Sequence, residues 1–305
     1  MCVFVTGATG FIGSAIVREL IDAGHQVFGL ARSDAAAKSL AAAGAKIHRG
    51  DLEDLDSLRR GAADSEGVIH TAFSPDWSTF EANCKTERRA IEAIGSALAG
   101  SDRPFVVASA TPMLKWGRLG TEEDATDSNN FLGALRGPGE EMALSMAPRG
   151  VRVSVVRLPP LVHGDGDHGF TADHGFTPLL ISFGREKGLS AYIGDGLNRW
   201  PAVHRLDAAH LFRLALEKAP AGARVHGVAE EGIAFRDIAD VIGRRLNIPV
   251  VTKSPEEAAN HFGWFATFPE VDCPASSKLT QERLGWRPVQ PSLFTDFERE
   301  SYFKT

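Results

Sequence analysis

The stretch CVFVTGATGFIGSAIV, residues 2–17, decides the fold of this 305-residue chain. The apolar run Cys2–Val5 predicts a short buried strand, and glycines spaced three residues apart follow it from Gly7 onward. Apolar residues at helical spacing then predict an amphipathic helix over Ile12–Ala23. A strand that passes through a glycine loop into a helix is a typical opening unit of an α/β domain.

Each glycine of this loop has a physical task. Gly7 permits a tight turn, Gly10 lets the backbone approach a ligand closely, and Gly13 lets the helix pack closely on the strand. Backbone amides at the start of the helix favour a phosphate group there. Glycines alone are a weak signal because turns use them routinely. Their position between a strand and a helix makes a dinucleotide pyrophosphate site the favoured interpretation.

Strand and helix patterns keep alternating after this unit. The predicted strands are Gln26–Leu30, Lys46–His48, Gly67–His70 and Pro104–Ala108, and the predicted helices are Ala35–Ala43, Leu55–Gly61 and Thr79–Ala99. This alternation predicts a parallel sheet with helices on both faces, an α/β fold of the Rossmann-type doubly wound class.

The pattern of apolar and polar residues in the sequence changes in the second half. Asp124–Asn130 is polar and loop-like, Glu140–Ala147 predicts a helix, and Val151–Val156 predicts a buried strand. The short helices predicted beyond Leu158 are Pro178–Lys187, Asp207–Glu217, Phe235–Leu246 and Pro255–His261. We therefore predict a cofactor-binding domain over residues 1–157, with a returning segment around 190–230, and a smaller C-terminal substrate-capping region over residues 158–305.

TGATGFIG, residues 6–13, resembles the glycine motif of the short-chain dehydrogenase/reductase superfamily in its extended and atypical, epimerase/dehydratase-like members. Four later segments resemble further motifs of that superfamily in the same order: Arg49–Leu52, Asn83–Thr86, Arg157–Gly164 and Arg199–Asp207. The resemblance implies an NAD(P)-binding Rossmann domain. The cofactor contacts that we expect from it are Gly7, Thr9, Gly10, Phe11, Ile12, Asp51, Leu52, Thr71, Ala72 and Pro159.

The end of the second predicted strand decides which nicotinamide cofactor binds. A site for NAD places Asp or Glu there, on the ribose 2′-hydroxyl, whereas a 2′-phosphate calls for Arg and small donors. Arg32 and Ser33 occupy this position, and Asp34 lies late enough to fit the N-cap of the next helix. The sequence therefore predicts NADP in preference to NAD, with Arg32 as a solvated surface charge as the alternative.

The catalytic pair of the superfamily, Tyr-x-x-x-Lys on one helix face, is absent. Neither of the two tyrosines is followed by Lys four residues later. The expected positions hold Phe131 or Leu132, and Leu135 or Arg136. Arg136 can replace the cation, but Phe and Leu cannot donate a proton. Loss of a general acid without a substitute raises the barrier by roughly 3–5 kcal/mol.

Four residues are candidates for the chemistry. Ser109 and Thr111 follow the fifth predicted strand, where the superfamily has its catalytic Ser, and both can hydrogen-bond a substrate oxygen. His163 stands beside the expected nicotinamide and can act as an acid or base near neutral pH. Arg136, which can replace the cation of the missing pair, is the fourth candidate. The alternatives are capped loop residues for Ser109 and Thr111, and a polar loop residue bonded to backbone for His163.

Two residues are candidates for the substrate side. Arg199 stands where the resemblance implies binding of a substrate phosphate or carboxylate, and a salt bridge to Asp195 or Asp207 is the alternative. His204 lies in the same segment, Arg199–Asp207, and structural pairing with Asp207 is the favoured interpretation for this residue.

Two further segments have a chemical and a structural interpretation. The loop His163–Gly169 contains two His and two Asp, but their spacing fits neither a calcium nor a zinc site, so we predict a glycine-rich lid and no metal. The aromatic residues of His261–Phe268, together with Trp286, predict the core of the smaller region or a dimer contact. An apolar wall of a substrate pocket is the alternative.

Composition excludes several classes of protein. The formal net charge is −6 and no Lys/Arg block occurs, which disfavours nucleic acid as a partner. No run approaches the roughly 18 apolar residues of a membrane span, and three well-separated cysteines fit a reducing compartment. We expect a cytoplasmic protein that binds a small-molecule substrate, no nucleic acid and no membrane, with a homodimer as the candidate assembly.

Two functions follow from these patterns. The leading interpretation is an NADP(H)-dependent oxidoreductase, or an epimerase that works by transient hydride transfer, acting on a small carbonyl or hydroxyl compound. The alternative is a non-catalytic NADP-binding redox sensor, which the missing Tyr favours. The motifs retained on the substrate side, Arg157–Gly164 and Arg199–Asp207, favour the enzyme.

Overall fold

The computed structural model describes residues 1–74, 76–165, 176–299 and 302–303. Its strands are β1 (Cys2–Thr6), β2 (Gln26–Ala31), β3 (Lys46–Arg49), β4 (Gly67–His70), β5 (Pro104–Ala110), β6 (Arg152–Leu158), β7 (Leu161–His163), β8 (Ser190–Ile193), β9 (Arg199–His204), β10 (Ala223–His226), β11 (Glu230–Ala234) and β12 (Val250–Lys253). Its α-helices are α1 (Phe11–Asp22), α2 (Asp34–Ala42), α3 (Leu55–Ala63), α4 (Phe80–Leu98), α5 (Phe131–Leu144), α6 (Phe176–Lys187), α7 (Arg205–Lys218), α8 (Phe235–Leu246), α9 (Pro255–Phe262), α10 (Lys278–Leu284) and α11 (Leu293–Phe297).

A parallel sheet forms the centre of the molecule. Within the part of the chain that the structure describes, it has seven strands in the order β10-β6-β5-β4-β1-β2-β3. The order runs outward in both directions from β1, so helices of the two halves cross to opposite faces of the sheet. This topology confirms the predicted α/β, doubly wound fold.

Helices cover both faces because successive strand residues point to opposite sides of the sheet. In β1, Val3 and Val5 join an apolar core that also contains Ile16 of α1 and Phe212 of α7. Phe4, between them, joins the opposite core, to which α3, α4 and α5 contribute. All three strand residues are fully buried, so the strand is a continuous apolar run in the sequence.

The C-terminal region packs around a core of its own, which includes Trp200, Phe235 and Phe265. It contains two small sheets, β11-β9-β7 and β12-β8, which the sequence did not predict. Met113, just after β5, and Leu132 of α5 belong to the same core. The region therefore lies at the carboxyl end of the large sheet.

The chain returns to the large sheet after β9. Helix α7 packs against α1, and β10 pairs with β6 at the edge of the sheet. The predicted domain boundary at residue 157 and the extent of the returning segment stay predictions.

Helix α5 begins at Phe131, whereas the sequence pattern predicted a helix over Glu140–Ala147, so that predicted start is wrong. The side chain of Asn130 caps the helix by accepting a hydrogen bond of 2.8 Å from the amide of Gly133. Gly and Pro inside this helix hid its first turns, because both are poor helix formers. Gly133 is required by packing, since a Cβ there would lie 2.1 Å from the carbonyl oxygen of Asp127.

The packing of α1 on the glycine loop generates a test. A Cβ at Gly13 would lie 1.9 Å from the carbonyl oxygen of Gly7, so we expect Gly13→Ala to force the helix away and to lower the free energy of unfolding by about 1–3 kcal/mol. Urea unfolding followed by circular dichroism measures this change.

Gly139→Ala is the matched control. Gly139 also lies in a helix, but a Cβ there would meet atoms at ordinary contact distances of 3.7 and 3.8 Å. We expect no loss of stability from it, because alanine favours a helix over glycine. Equal unfolding free energies for the two variants would contradict the close-packing account of Gly13.

Candidate functional site

The glycine loop lies where the strand order reverses. Strand β1 has β2 on one side and β4 on the other, and this reversal leaves a crevice at the carboxyl ends of the strands. Gly7 has φ +68°, and a Cβ there would lie 2.7 Å from both the Thr71 hydroxyl and the Ala72 amide nitrogen. The structure thus brings together the ends of β1 and β4, where sequence and resemblance placed cofactor contacts.

The start of α1 offers unclaimed backbone donors. Gly10 is the N-cap and no side chain caps the helix, while its own amide donates to the Gly7 carbonyl oxygen at 3.0 Å. Thr9 and Gly10 are exposed, and Phe11 and Ile12 are half-buried. A helix N-terminus without a side-chain cap attracts an anion. A Cβ at Gly10 would lie 3.3 Å from the Gly7 carbonyl oxygen, so glycine keeps the loop open beside the helix start. This geometry fits the pyrophosphate of a dinucleotide.

Arg205 is a cation near this helix start that the sequence analysis missed. Its guanidinium lies 4.5 Å from the centre of the Phe11 ring and donates to the Ser14 hydroxyl at 2.8 Å. It also donates to the carbonyl oxygen of Asp165. Arg205 directly follows His204 in the sequence, so it reaches α1 from the first position of α7 and no local pattern reveals the contact.

The end of β2 carries the groups that select the cofactor. Arg32 and Ser33 are exposed, and no hydrogen-bond partner of the Arg32 side chain occurs among the described residues. Ser33, not Asp34, is the N-cap of α2: its hydroxyl accepts from the Ala36 amide at 3.2 Å. The N-cap interpretation of Asp34 was therefore wrong. Its carboxylate instead accepts a hydrogen bond of 2.6 Å from Arg49 on β3.

The other expected cofactor contacts lie along the same edge. The carboxylate of Asp51 accepts from the amides of Glu53 and Asp54 at 2.8 and 3.0 Å, which shapes the loop after β3. Leu52 beside it is half-buried. Pro159 is buried directly after β6. The geometry leaves their roles toward a cofactor as predictions.

A buried carboxylate organises the ends of β5 and β6. Glu140 of α5 accepts from the Arg157 guanidinium at 2.5 and 3.0 Å, from Ser109 at 2.7 Å and from Arg224 at 3.3 Å. Burial opposes ionisation of Glu140, but the hydrogen bonds and the charge of Arg157 hold its pKa below the ordinary value. The Ser109 hydroxyl therefore uses its one hydrogen-bond donor on Glu140.

Arg136 occupies the position of the missing Lys, but a carboxylate holds it. Its guanidinium donates to both oxygens of Glu87 on α4, at 2.8 and 3.1 Å, and lies 4.3 Å from the centre of the Phe73 ring. Burial lowers the pKa of Arg136, yet the Glu87 carboxylate raises it further, so the guanidinium stays charged. Leu132, one helical turn earlier, is buried and brings no donor.

Spacing is the signal that would have revealed this arrangement. Leu132, Arg136 and Glu140 are four residues apart, which puts them on one face of a helix. Because the predicted helix began only at Glu140, this spacing was not visible, and Glu140 and Glu87 were not predicted as site residues although Arg136 was.

Two polar groups nearby keep hydrogen-bonding capacity. The hydroxyl of Thr111, at the first residue after β5, is buried and has no partner among the described residues. His70, at the end of β4, bonds the Thr6 hydroxyl through Nδ1 at 2.8 Å, and its Nε2 is likewise unpartnered there. Burial and the charge of Arg136 lower the pKa of His70 to about 3, so its ring is neutral.

His163 is fully buried and bonded to the C-terminal segment. Its Nδ1 lies 2.9 Å from the carboxylate of Asp296, which also accepts from the Tyr302 hydroxyl at 2.9 Å. Burial raises the pKa of Asp296, but these hydrogen bonds outweigh it and lower the pKa overall. Of the predicted lid loop, residues 166–169 lie outside the described residues.

His204 and Arg199 have partners that the sequence did not predict. The Nδ1 of His204 accepts from the Leu206 amide at 3.2 Å and caps α7, while the Asp207 carboxylate accepts from the amides of residues 289 and 290, so the predicted His204–Asp207 pairing was wrong. Arg199 donates to both carboxylate oxygens of Asp272 at 2.9 and 3.0 Å. The salt-bridge partner of Arg199 is therefore Asp272, and not Asp195 or Asp207 as the sequence suggested.

The late aromatic residues divide between two cores. Phe262, Phe265 and Phe268 are buried in the core of the C-terminal region, as predicted, but Trp264 is half exposed. Trp286 is fully buried in the core that contains α1 and α7.

A search of the described helices finds none that is long and apolar enough to cross a membrane.

A doubly wound sheet, a glycine cradle at its switch point and an uncapped helix start define a class: proteins that bind a dinucleotide at the carboxyl ends of the strands. Comparison with known proteins then gives the family. A model described as the NAD dependent epimerase/dehydratase family matches residues 3–227. The chain therefore belongs to this family, which confirms the resemblance.

Its relatives include proteins of known and unknown activity. An uncharacterized protein of Schizosaccharomyces pombe is 52% identical over 304 residues, which cover 99% of this chain and 100% of the relative. The UDP-glucose 4-epimerase of Streptomyces lividans is 26% identical, with 95% of this chain and 92% of that enzyme covered. A dTDP-glucose 4,6-dehydratase of Streptomyces venezuelae, solved with NAD bound, has a TM-score of 0.78 at 20% identity and covers 99% and 97% of the two chains.

The buried charges generate a pH prediction. His226 donates from Nδ1 to the Ser276 carbonyl oxygen at 2.8 Å and accepts at Nε2 from Arg157 at 3.3 Å, so the folded state holds it neutral. Burial, and then Arg157, lower its pKa to about 4. In the unfolded chain a His binds a proton near pH 6.5. The free energy of unfolding should therefore fall as the pH drops from about 6.5 to 4.

Urea unfolding of the unmodified chain and of His226→Gln at pH 7.5 and pH 5.0 measures this effect. The variant should be less stable at pH 7.5 but should lose less stability on acidification, because it has lost one proton-binding group. A pH dependence that is the same in both proteins would show that His226 is not protonated on unfolding.

Proposed function

We propose that this chain is an NADP(H)-dependent oxidoreductase that transfers a hydride to or from a small carbonyl or hydroxyl compound. One observation carries the choice of NADP: the Arg32 guanidinium just after β2 is exposed and has no partner within the described part of the chain. No Asp or Glu occupies the position where an NAD site has its carboxylate. The nearby Asp34 is bonded to Arg49.

Charge supports the same choice. The guanidinium groups of Arg32 and Arg49 follow and end the neighbouring strands β2 and β3, and the Asp34 carboxylate pairs with Arg49. A 2′-phosphate brings negative charge that such a surface attracts, and the planar guanidinium can donate two hydrogen bonds to it. Ser33 still has its hydroxyl proton to donate, because the N-cap bond uses only its oxygen as acceptor.

When bound, NADPH supplies the hydride, and the protein must hold the substrate oxygen as negative charge develops on it. Leu132 has no donor, Ser109 donates to Glu140, and Arg136 is held by Glu87. Thr111, directly after β5, has a buried hydroxyl that bonds to no group in the described ranges of the chain. We assign the hydrogen bond to the substrate oxygen to Thr111. A Thr hydroxyl does not ionise near neutral pH, so the proton itself comes from water.

His163 stays a candidate of lower rank in this proposal, since its ring is buried against Asp296. Transient hydride transfer in both directions would make the same site an epimerase, the activity named for the relative from Streptomyces lividans. A small-molecule substrate and a homodimer stay predictions.

One observation favours a second function, a non-catalytic NADP sensor. The expected positions of the proton donor hold Phe131 or Leu132, neither of which can donate a proton, and the neighbouring cation Arg136 is paired with Glu87. A site that only binds the cofactor needs neither a proton donor nor a free cation. The two functions differ in turnover, so they can be separated by one assay.

The cofactor preference is tested with Arg32→Ala. Loss of a charge-assisted contact to the 2′-phosphate is worth about 1.5–3 kcal/mol, so the Kd for NADPH should rise about 10- to 100-fold while the Kd for NADH stays unchanged. Isothermal titration calorimetry measures both constants. Arg18→Ala, an exposed Arg on α1 that pairs with Asp22, is the control for the change in net charge. An equal loss for both cofactors would contradict the role of Arg32.

The chemistry is tested by following NADPH absorbance with a panel of ketones and aldehydes. Thr111→Val should lower kcat about 100-fold with an unchanged Kd for NADPH, because only the donor to the developing oxyanion is lost. Ser154→Ala removes a buried hydroxyl of β6 that also bonds to none of the described residues, and it should leave kcat unchanged. Tight NADPH binding with no turnover of any compound would overturn the enzyme proposal and support the sensor.

A further inference from the structure

Arg205 places a positive charge beside the first turn of α1. Its guanidinium lies 4.5 Å from the centre of the ring of Phe11, which is the first residue of that helix. The guanidinium donates to the Ser14 hydroxyl at 2.8 Å, and that hydroxyl donates to the Phe11 carbonyl oxygen at 3.3 Å. Two consecutive hydrogen bonds therefore join Arg205 to the backbone at the start of α1.

The loop after β7 holds the side chain of Arg205 in this place. Gly164 has φ +133°, a backbone conformation that favours glycine, and a Cβ there would lie 2.8 Å from Cγ of Arg205. The guanidinium also donates to the backbone carbonyl oxygen of Asp165. The carboxylate of Asp165 accepts from Arg299 instead, at 3.1 Å. Loop and helix thus fix the guanidinium between them.

This place is electrostatically unfavourable for a cation. The start of a helix carries partial positive charge, which repels a nearby cation and attracts an anion. Helix α1 has no acidic residue in its first turn and no side chain that caps it. Arg205 is also the first residue of α7, where the acidic residue of the first turn, Asp207, accepts from the amides of residues 289 and 290. The guanidinium and the start of α1 therefore add their positive charges at one place.

A bound anion removes this conflict, because the helix start and the guanidinium both attract it. The glycine loop, residues 6–13, contains no Lys or Arg, so it offers a phosphate group only backbone amides and a hydroxyl. We propose that Arg205 binds the pyrophosphate of the dinucleotide and supplies the positive charge that the glycine loop lacks. This inference adds a cofactor-binding residue to the proposed function and rests on it.

Arg205 and Arg32 should differ in the cofactors that they distinguish. The pyrophosphate is common to NADPH and NADH, so Arg205→Gln should raise the Kd for both by the same factor, about tenfold. Arg32→Ala should raise the Kd for NADPH alone. Isothermal titration calorimetry on the full chain measures these constants without any need for turnover. Glutamine keeps a hydrogen-bond donor at position 205 while it removes the charge.

Charge and salt separate this role from a purely structural one. Arg205→Lys keeps the charge and should stay within about threefold of the unmodified chain, whereas Arg205→Met, a second neutral variant with an apolar stem, should match Arg205→Gln. The difference between the unmodified chain and the neutral variants should shrink when NaCl is raised from about 0.05 M to about 0.5 M, because ions screen the attraction. Urea unfolding without cofactor reports on the stability of each variant.

Arg213→Gln is the matched control. Arg213 also lies on α7 and also binds α1, because its guanidinium donates to Glu19 at 2.7 Å. Glu19 lies eight residues after Phe11, which is more than two turns along the helix. The control therefore removes the same charge and a contact between the same two helices, but far from the glycine loop. The Kd values for NADPH and NADH should stay unchanged in it.

The outcomes separate this inference from the proposed function. Neutral variants of Arg205 that bind both dinucleotides as tightly as Arg213→Gln does would overturn the role of Arg205 and leave the oxidoreductase standing. Equal losses in Arg205→Gln and Arg205→Lys at both salt concentrations would also overturn it, because charge would then play no part. Binding that depends on the charge at position 205, without oxidation of NADPH by any carbonyl compound, would contradict the oxidoreductase and support this inference.

Discussion

The contact between the carbonyl group of Gly7 and the backbone of α1 at Gly13 is the constraint on which the rest of the structure depends. A single carbon added at Gly13 would lie 1.9 Å from that carbonyl oxygen, so helix and loop are as close as two backbones can be. The close approach aims the first amides of α1 at the crevice beside β4. The position of α1 and the geometry of the proposed anion site therefore follow from one packing requirement.

A second constraint joins the ends of β5, β6 and β10 in the large sheet. Glu140 holds Arg157, and Arg157 donates to the carbonyl oxygen of Asp124 at 2.9 Å and contacts His226. These groups are buried, so each must be satisfied by another. Ser109 is drawn into the network as a donor to Glu140. The network fixes the ends of β5, β6 and β10, and it leaves Thr111 outside.

The sequence could predict what local patterns and glycine geometry control. The alternation of apolar strands and amphipathic helices predicted β1 to β5, and β4 and α8 were predicted with the bounds that the structure gives. The small strands β7, β8, β9, β11 and β12 were missed, because they are short and pair with partners far away in the sequence. Helix α5 was predicted too short because its glycines serve packing against a neighbouring loop.

Partners of the site residues were harder to predict than the residues themselves. Arg136 and Arg199 were identified from the motifs, but Glu87 and Asp272, which bind them, lie 49 and 73 residues away. Nothing in a local pattern reveals such pairs, and they decide whether a cation is free to bind a ligand. The same holds for His163, whose partner Asp296 lies near the end of the chain.

We propose that the crevice at the switch point binds a nicotinamide dinucleotide that carries a 2′-phosphate. Calorimetric titration of the unmodified, folded chain with NADPH and separately with NADH tests this binding. We expect saturable heat with NADPH and a Kd for NADH at least about tenfold higher. Equal affinities, or no heat with either dinucleotide, would show that the crevice does not select the 2′-phosphate.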